Sequence, residues 1–219
     1  MRARFRTLSL LALMGASCTL MAQKSDYPRS ISVGLRGGIN LSRYLFVPSV
    51  SQNQYVGQQA SLVGRWDLEQ GASLQAELSY VRTGWDERYD NGTLSSQRQL
   101  SYVELPLLTH LYLGKKGLRI FVNIGPFVGY KLGEQHLATG EGFSEMQLQR
   151  QTMPVKNNFA WGLAGGPGLS LALGKRHRIE AEARVSYNFQ DIWGNQRSDP
   201  YGQSTEFRIG VGISYLYKF

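Results

Sequence analysis

Residues 205–219 read TEFRIGVGISYLYKF and close the chain. Every odd position from Phe207 to Phe219 carries an apolar or aromatic side chain, whereas the even positions, except Leu216, carry small or charged ones. A period of two indicates a β-strand with one apolar face and one polar face. The stretch exceeds the common strand length of about five or six residues, so it favours a membrane barrel over a soluble sandwich that ends on an alternating strand.

The same alternation recurs in seven earlier segments. They span residues 31–42, 55–68, 72–83, 100–113, 118–132, 158–173 and 177–189. Short links at 69–71, 114–117 and 174–176 alternate with longer ones at 43–54, 84–99, 133–157 and 190–204. An even strand count with short periplasmic turns and long external loops is typical of outer-membrane barrels. We therefore predict an all-β protein, an eight-stranded antiparallel up-and-down transmembrane β-barrel over residues 31–219 with both termini in the periplasm.

The N-terminus has the features of a secretory signal peptide over residues 1–22. Three early arginines precede an apolar run from Leu8 to Leu20, and Ala22 fits the cleavage position. Cleavage there leaves residues 23–30 as a periplasmic segment and removes Cys18, the only cysteine of the chain. The residues before Cys18 match a lipoprotein signal poorly, because Gly15 stands where a leucine is expected.

The overall charge and hydropathy exclude two classes of protein. The formal net charge of +8 falls by three with the signal arginines, and no nucleic-acid-binding motif accompanies the basic residues. Beyond the signal no run of 18 apolar residues occurs, so the sequence contains no candidate for a helical membrane span. We expect no nucleic-acid partner, and any membrane crossing must be made by strands.

Aromatic residues on the apolar face are predicted to form girdles at the two membrane interfaces. Threading the strands up and down places one group near the external rim: Tyr80, Tyr130, Trp161 and Tyr187. A second group falls near the periplasmic rim: Trp66, Tyr215, Tyr217 and Phe219. The last three also resemble the terminal signal by which the barrel-assembly machinery recognises bacterial outer-membrane proteins.

The polar face carries the charged residues of the strands. We predict that they form a lumen charge network: Arg36, Arg65, Glu77, Glu104, His110, Arg119, Lys131, Arg178, Glu180, Glu182, Arg184, Glu206 and Arg208. An eight-stranded barrel has an interior just wide enough for side chains, and unpaired ions out of bulk water cost several kcal/mol each. These charges must therefore pair. A soluble lipocalin-like barrel, which uses the same alternation inside out, is the alternative.

Several segments together resemble a known family. Their sequences are GLRGGINLS at 34–42, ELSY at 77–80, YVELPLL at 102–108, GPFVGY at 125–130, GLAGGPG at 162–168 and EAEARVSY at 180–187. Their order and spacing resemble the PorT-like outer-membrane β-barrel family of Bacteroidota. The resemblance implies an integral outer-membrane barrel of about eight strands. PorT itself is tied to type IX protein secretion, and the resemblance does not extend to membership of that machinery.

The sequence offers little that points to catalysis. His110 lies on the polar face, where it could approach a lumen serine or Glu104, and a hydrolytic site would need a nucleophile, a base and an orienting group within reach. A histidine paired within a packed polar lumen accounts for the same residue. We expect no enzyme, no cofactor and no metal site.

The expected function is that of a non-enzymatic scaffold or interaction protein, with a link to protein secretion as one form of that role. The expected partners are outer-membrane lipid, the barrel-assembly machinery and an unknown envelope or secreted protein, which the external loops would contact. In the last loop, Trp193 is expected to pack on the barrel rim. A small passive porin and an outer-membrane lipid-modifying enzyme are the alternatives.

Overall fold

The computed structural model describes residues 29–88, 95–115, 117–139, 153–193 and 202–219. The predicted signal peptide at 1–22 and the segment up to residue 28 lie outside the described residues. In the described part of the chain, no helix is long and apolar enough to cross a membrane.

The described residues form eight antiparallel strands in a closed ring, as the sequence predicts. The strands are β1 (Ser30–Val47), β2 (Gln52–Glu69), β3 (Ala72–Arg88), β4 (Ser95–Lys115), β5 (Leu118–Thr139), β6 (Phe159–Leu173), β7 (His177–Asn188) and β8 (Gln203–Lys218). Each strand pairs with its chain neighbour, and β1 pairs with β8 to close the barrel. Closure leaves the sheet without an unpaired edge.

The side chains of the barrel wall sort by face as the alternation predicts. Leu171 and Ile213 project outward and are 48% and 65% exposed, whereas Glu182 and Arg36 point into the lumen and are buried. Apolar side chains cover the outside of all eight strands. A soluble barrel would bury this face, so the polar interior and apolar exterior are those of a barrel that faces lipid.

Small interior residues create room for large neighbours. A Cβ at Gly212 would lie 2.9 Å from the guanidinium Nε of Arg36, and a Cβ at Gly168 would lie 2.2 Å from the ring of Phe121. Aromatic rings of β5 use this room as well as Arg36, because Phe121 and Phe127 point inward with the polar residues of that strand.

The strands extend farther on the long-loop side than the sequence predicts. β1 continues to Val47 and β2 begins at Gln52, so the predicted long loop at 43–54 is a connection of residues 48–51. The predicted loop at 84–99 likewise shrinks to 89–94. In this part of the wall the alternation is inverted: Tyr44 and Trp85 point inward and are buried, while Arg43 is exposed.

The orientation of the faces can be tested with a single-cysteine label. We expect a solvatochromic fluorophore on Leu171→Cys to emit as in lipid and to be quenched by brominated acyl chains, because Leu171 lies on the apolar outer face of β6. The matched control is Lys175→Cys in the turn after the same strand, which is exposed and should report water. The protein is prepared without residues 1–22, which hold its only cysteine. Equal quenching at both sites would contradict the assignment.

Candidate functional site

The middle of the lumen is crossed by an ion pair between opposite walls. Arg184 on β7 donates two hydrogen bonds to the carboxylate of Glu77 on β3, at 2.7 and 2.8 Å. These two strands lie opposite each other in the ring. Arg184 also donates from Nε to Glu182 at 2.7 Å, and Glu182 accepts a further bond from Arg36. These four side chains fill this level of the barrel.

A second crossing pair lies nearer the long-loop end. Nη2 of Arg208 on β8 bonds both carboxylate oxygens of Glu104 on β4, at 3.0 and 2.8 Å. These two strands are also opposite each other in the ring. Glu206 lies 3.4 Å from Arg208 and accepts a hydrogen bond from Thr83 on β3. The lumen is therefore bridged at two successive heights.

A third level lies toward the short turns. Arg65 on β2 donates two bonds to Glu180 on β7, at 2.7 and 2.6 Å. Gln75 accepts from Nε of Arg65 at 2.9 Å, and Ser170 donates to Glu180 at 2.8 Å. Neutral side chains thus satisfy the remaining donors and acceptors of the pair, which a buried ion pair requires.

The structure also shows where the other predicted network members lie. His110 bonds Asn123 at 2.7 Å through Nδ1, and its ring centre lies 4.7 Å from that of Phe121. The predicted approach of His110 to Glu104 is wrong, because that carboxylate is bound to Arg208 at another height. Sequence reasoning missed Asn123, an interior amide that also bonds Glu182 at 2.9 Å.

Three predicted cations lie outside the central levels. Lys131 contacts Glu134 at 3.2 Å near the long-loop end. At the other end, Arg178 donates to Oγ of Ser170 at 2.7 Å, and the guanidinium of Arg119 lies over the ring of Tyr112. Within the described ranges, His, Cys, Asp and Glu residues form no group of three that could hold a metal ion.

A buried aromatic cluster lies inside the long-loop end of the barrel, and the sequence did not predict it. The buried side chains are Tyr44, Phe46, Trp85, Leu100, Tyr102, Val155, Ala160, Ile192 and Trp193. The rings of Trp85 and Trp193 meet edge to face with centroids 5.8 Å apart, and Arg98 lies 5.5 and 5.7 Å from them. We call this cluster the aromatic cap.

Trp193 lies inside the barrel mouth. The sequence analysis expected it to pack on the barrel rim, but the residue is 1% exposed and its indole nitrogen donates to the Pro154 carbonyl at 3.2 Å. Asn157 in turn donates from its side chain to the Asp191 carbonyl at 2.6 Å. The segments 153–158 and 189–193 therefore fold over the mouth and bury Val155, Ile192 and Trp193 in the aromatic cap.

The predicted girdle aromatics occupy the outer face of the wall. Tyr80, Tyr130, Trp161, Trp66, Tyr215 and Phe219 are exposed, and Tyr187 and Tyr217 are partly exposed. Tyr215 bonds His177 at 2.6 Å on the outer surface near the short turns. The membrane contacts of these residues, and the role of the last three in assembly, stay predictions.

These features define a class: an integral eight-stranded β-barrel of the outer membrane with a polar, side-chain-filled interior. A family profile described as "Outer membrane protein beta-barrel domain" matches residues 21–194. The chain belongs to this family, which places it in the outer membrane. A search of curated proteins found no match.

Solved structures of outer-membrane proteins resemble this chain at low sequence identity. OprG from Pseudomonas aeruginosa shows the same fold: it is 10% identical, with a TM-score of 0.51 and coverage of 87% of this chain and 96% of that one. A major outer membrane protein from Thermus thermophilus is 15% identical, with a TM-score of 0.47 and coverage of 88% and 100%. Outer Membrane Protein W of E. coli is 14% identical, with a TM-score of 0.40 and coverage of 89% and 100%.

The ion pair between Arg184 and Glu77 predicts that two charge substitutions will lower the stability of the barrel by different amounts. Glu77→Leu should destabilise the barrel by about 3–5 kcal/mol, because it leaves Arg184 buried without its main partner. Glu77→Leu combined with Arg184→Leu should recover part of that loss. Lys218→Met is the control: its contact with Asp67 involves a side chain that is 43% exposed, and such pairs contribute about 1 kcal/mol or less.

Urea unfolding in lipid vesicles, followed by tryptophan fluorescence, measures these differences. If Glu77→Leu lowers the unfolding midpoint no more than Lys218→Met does, the crossing pair does not hold the lumen together.

Proposed function

We propose that this protein is a non-enzymatic, non-conducting outer-membrane barrel that acts as a scaffold or interaction protein. The crossing of the lumen by Arg184 with Glu77 and by Arg208 with Glu104 carries the proposal. Both pairs join opposite walls, and their side chains are at most 8% exposed. A passive porin needs an aqueous path through this space, which a barrel of this size provides only if its interior side chains move aside.

The aromatic cap supports the same proposal. It adds a buried, largely apolar layer above the charged levels, where a channel for polar solutes would need water and polar groups. Arg98 contributes to this layer through the faces of Trp85 and Trp193 and through a bond to the Met153 carbonyl at 2.7 Å. With the interior closed, binding functions fall to the surfaces of the two ends.

The partners follow from this arrangement and from the family resemblance. Outer-membrane lipid covers the apolar face, and the barrel-assembly machinery would receive the chain through Tyr215, Tyr217 and Phe219. The resemblance to the PorT-like family of Bacteroidota supports a further partner among envelope or secreted proteins, with a role linked to protein secretion. The environment of His110, an amide and aromatic rings, supports a packing role over a lipid-modifying enzyme.

Planar-bilayer recording tests whether the lumen is closed. We expect purified protein to insert without steady open-channel conductance, because ion pairs bridge the lumen at two heights. An established diffusion porin, inserted under the same conditions, is the positive control. A steady conductance that scales with the number of inserted barrels would defeat the proposal and favour the passive porin.

A gene deletion tests the interaction role. We expect the surface or secreted protein content of the cell to change on deletion, and to return when the wild-type gene is restored. Quantitative mass spectrometry of the outer-membrane and culture-supernatant fractions makes the comparison. An unchanged exported protein set, alongside an intact outer membrane, would count against a role in secretion.

A further inference from the structure

A small basic pocket lies in the short-turn end of the barrel. Its volume is about 140 Å³, and the turn residues 174–176 form part of its wall. Six cationic side chains line it: Arg65, Arg119, Lys175, Arg176, Arg178 and Lys218. Two acidic side chains line it as well: Asp67 and Glu180. This end faces the periplasm, because outer-membrane barrels carry their short turns on that side.

Both acidic residues of the pocket already have partners. Glu180 is held by Arg65 and by Ser170. Asp67 accepts hydrogen bonds from Ser30 at 2.6 Å and Ser73 at 2.8 Å, and it lies 3.4 Å from Lys218. Glu180 forms an ion pair with Arg65, and Asp67 forms one with Lys218. The pocket therefore has an excess of positive charge that its own acids do not balance.

Arg119 and Arg178 are held in place while most of their donors stay available. The Arg119 guanidinium lies 4.4 Å from the ring centre of Tyr112, and its buried Nε has no hydrogen-bond partner in the described structure. Arg178 donates one bond, to Ser170 at 2.7 Å. A guanidinium offers five N–H donors in a rigid fork. Both side chains are half-buried, and their like charges repel each other.

We propose that this pocket binds a small oxyanion of the phosphate type, held between Arg119 and Arg178. Planar guanidinium donors match the oxygens of phosphate and form charge-assisted hydrogen bonds that are stronger than neutral ones. The anion would reduce the repulsion between the two cations and accept hydrogen bonds from the terminal guanidinium nitrogens of Arg119 and Arg178. The volume has room for several water-sized groups, which fits a phosphate group and not an extended ligand.

The position of the pocket makes it a binding site and not an entrance to a pore. The ion pair between Arg65 and Glu180 forms its inner wall, and the pair between Arg184 and Glu77 crosses the lumen beyond it. A bound phosphate would therefore enter and leave from the periplasmic side. Its source is either a free phosphate compound in the periplasm or the headgroup of an inner-leaflet phospholipid.

Calorimetric titration with inorganic phosphate tests the site. The folded barrel, in a neutral detergent at low ionic strength, should bind phosphate saturably, with chloride at matched ionic strength as the reference. Arg119→Gln and Arg178→Gln should each weaken binding by about tenfold or more, the loss expected when one charged hydrogen-bonding group is removed. Arg43→Gln is the matched control, because Arg43 is an exposed arginine on the outer face of β1 near the other end.

A second arm separates the two sources of phosphate. The unfolding midpoint is compared in phosphatidylcholine vesicles with and without phosphatidylglycerol, for the wild type and all three variants. Saturable binding of inorganic phosphate supports a free ligand, and stabilisation by the anionic lipid that is lost in Arg119→Gln supports a headgroup. The proposal is overturned if neither occurs, or if Arg119→Gln and Arg178→Gln behave like Arg43→Gln. Heat-dependent gel migration confirms that each variant is folded.

Discussion

The narrow width of an eight-stranded barrel is the constraint on which the rest of the structure depends. The interior has little room beyond that taken by side chains, so a charge that points into the middle of the barrel needs a counterpart within reach on the surrounding walls. Arg184 with Glu77 and Arg208 with Glu104 meet this requirement by spanning the lumen. These ion pairs neutralise the buried charges and also occupy the space inside the barrel. The narrow width therefore explains both the pairing of the interior charges and the filling of the interior by side chains.

The polarity of the inward-facing side chains changes along the height of the barrel. Where lipid surrounds the barrel, apolar side chains such as Leu171 point outward and Glu182 points inward. At the long-loop end Tyr44 and Trp85 lie inside instead, which is the arrangement expected where strands extend past the lipid into water. The aromatic cap is thus a hydrophobic core of the ordinary kind. Below it, the barrel has a polar interior and an apolar outer face. The two parts share the same eight strands.

The sequence predicted the lipid-facing part of the barrel, because apolar outward and polar inward side chains alternate regularly there over many residues. It failed at 43–54 and 84–99, where the large apolar side chains of Tyr44, Phe46 and Trp85 point into the barrel instead of out of it. The sequence also placed Glu77 and Arg184 on the lumen face, but it did not predict that they pair with each other. Periodicity gives the face of a residue, but height depends on register, and these two residues are 107 positions apart.

The seam between the first and last strands has a consequence for biogenesis. It joins Ser32 to Lys218 and Val47 to Gln203, so the two strands that complete the cylinder are the first and the last of the eight in sequence order. The ring can form only after β8 has been synthesised and exported, and until then β1 presents an unpaired strand edge that is prone to aggregation. Such long-range pairing also slows folding, so the exported strands stay without their final partners for longer.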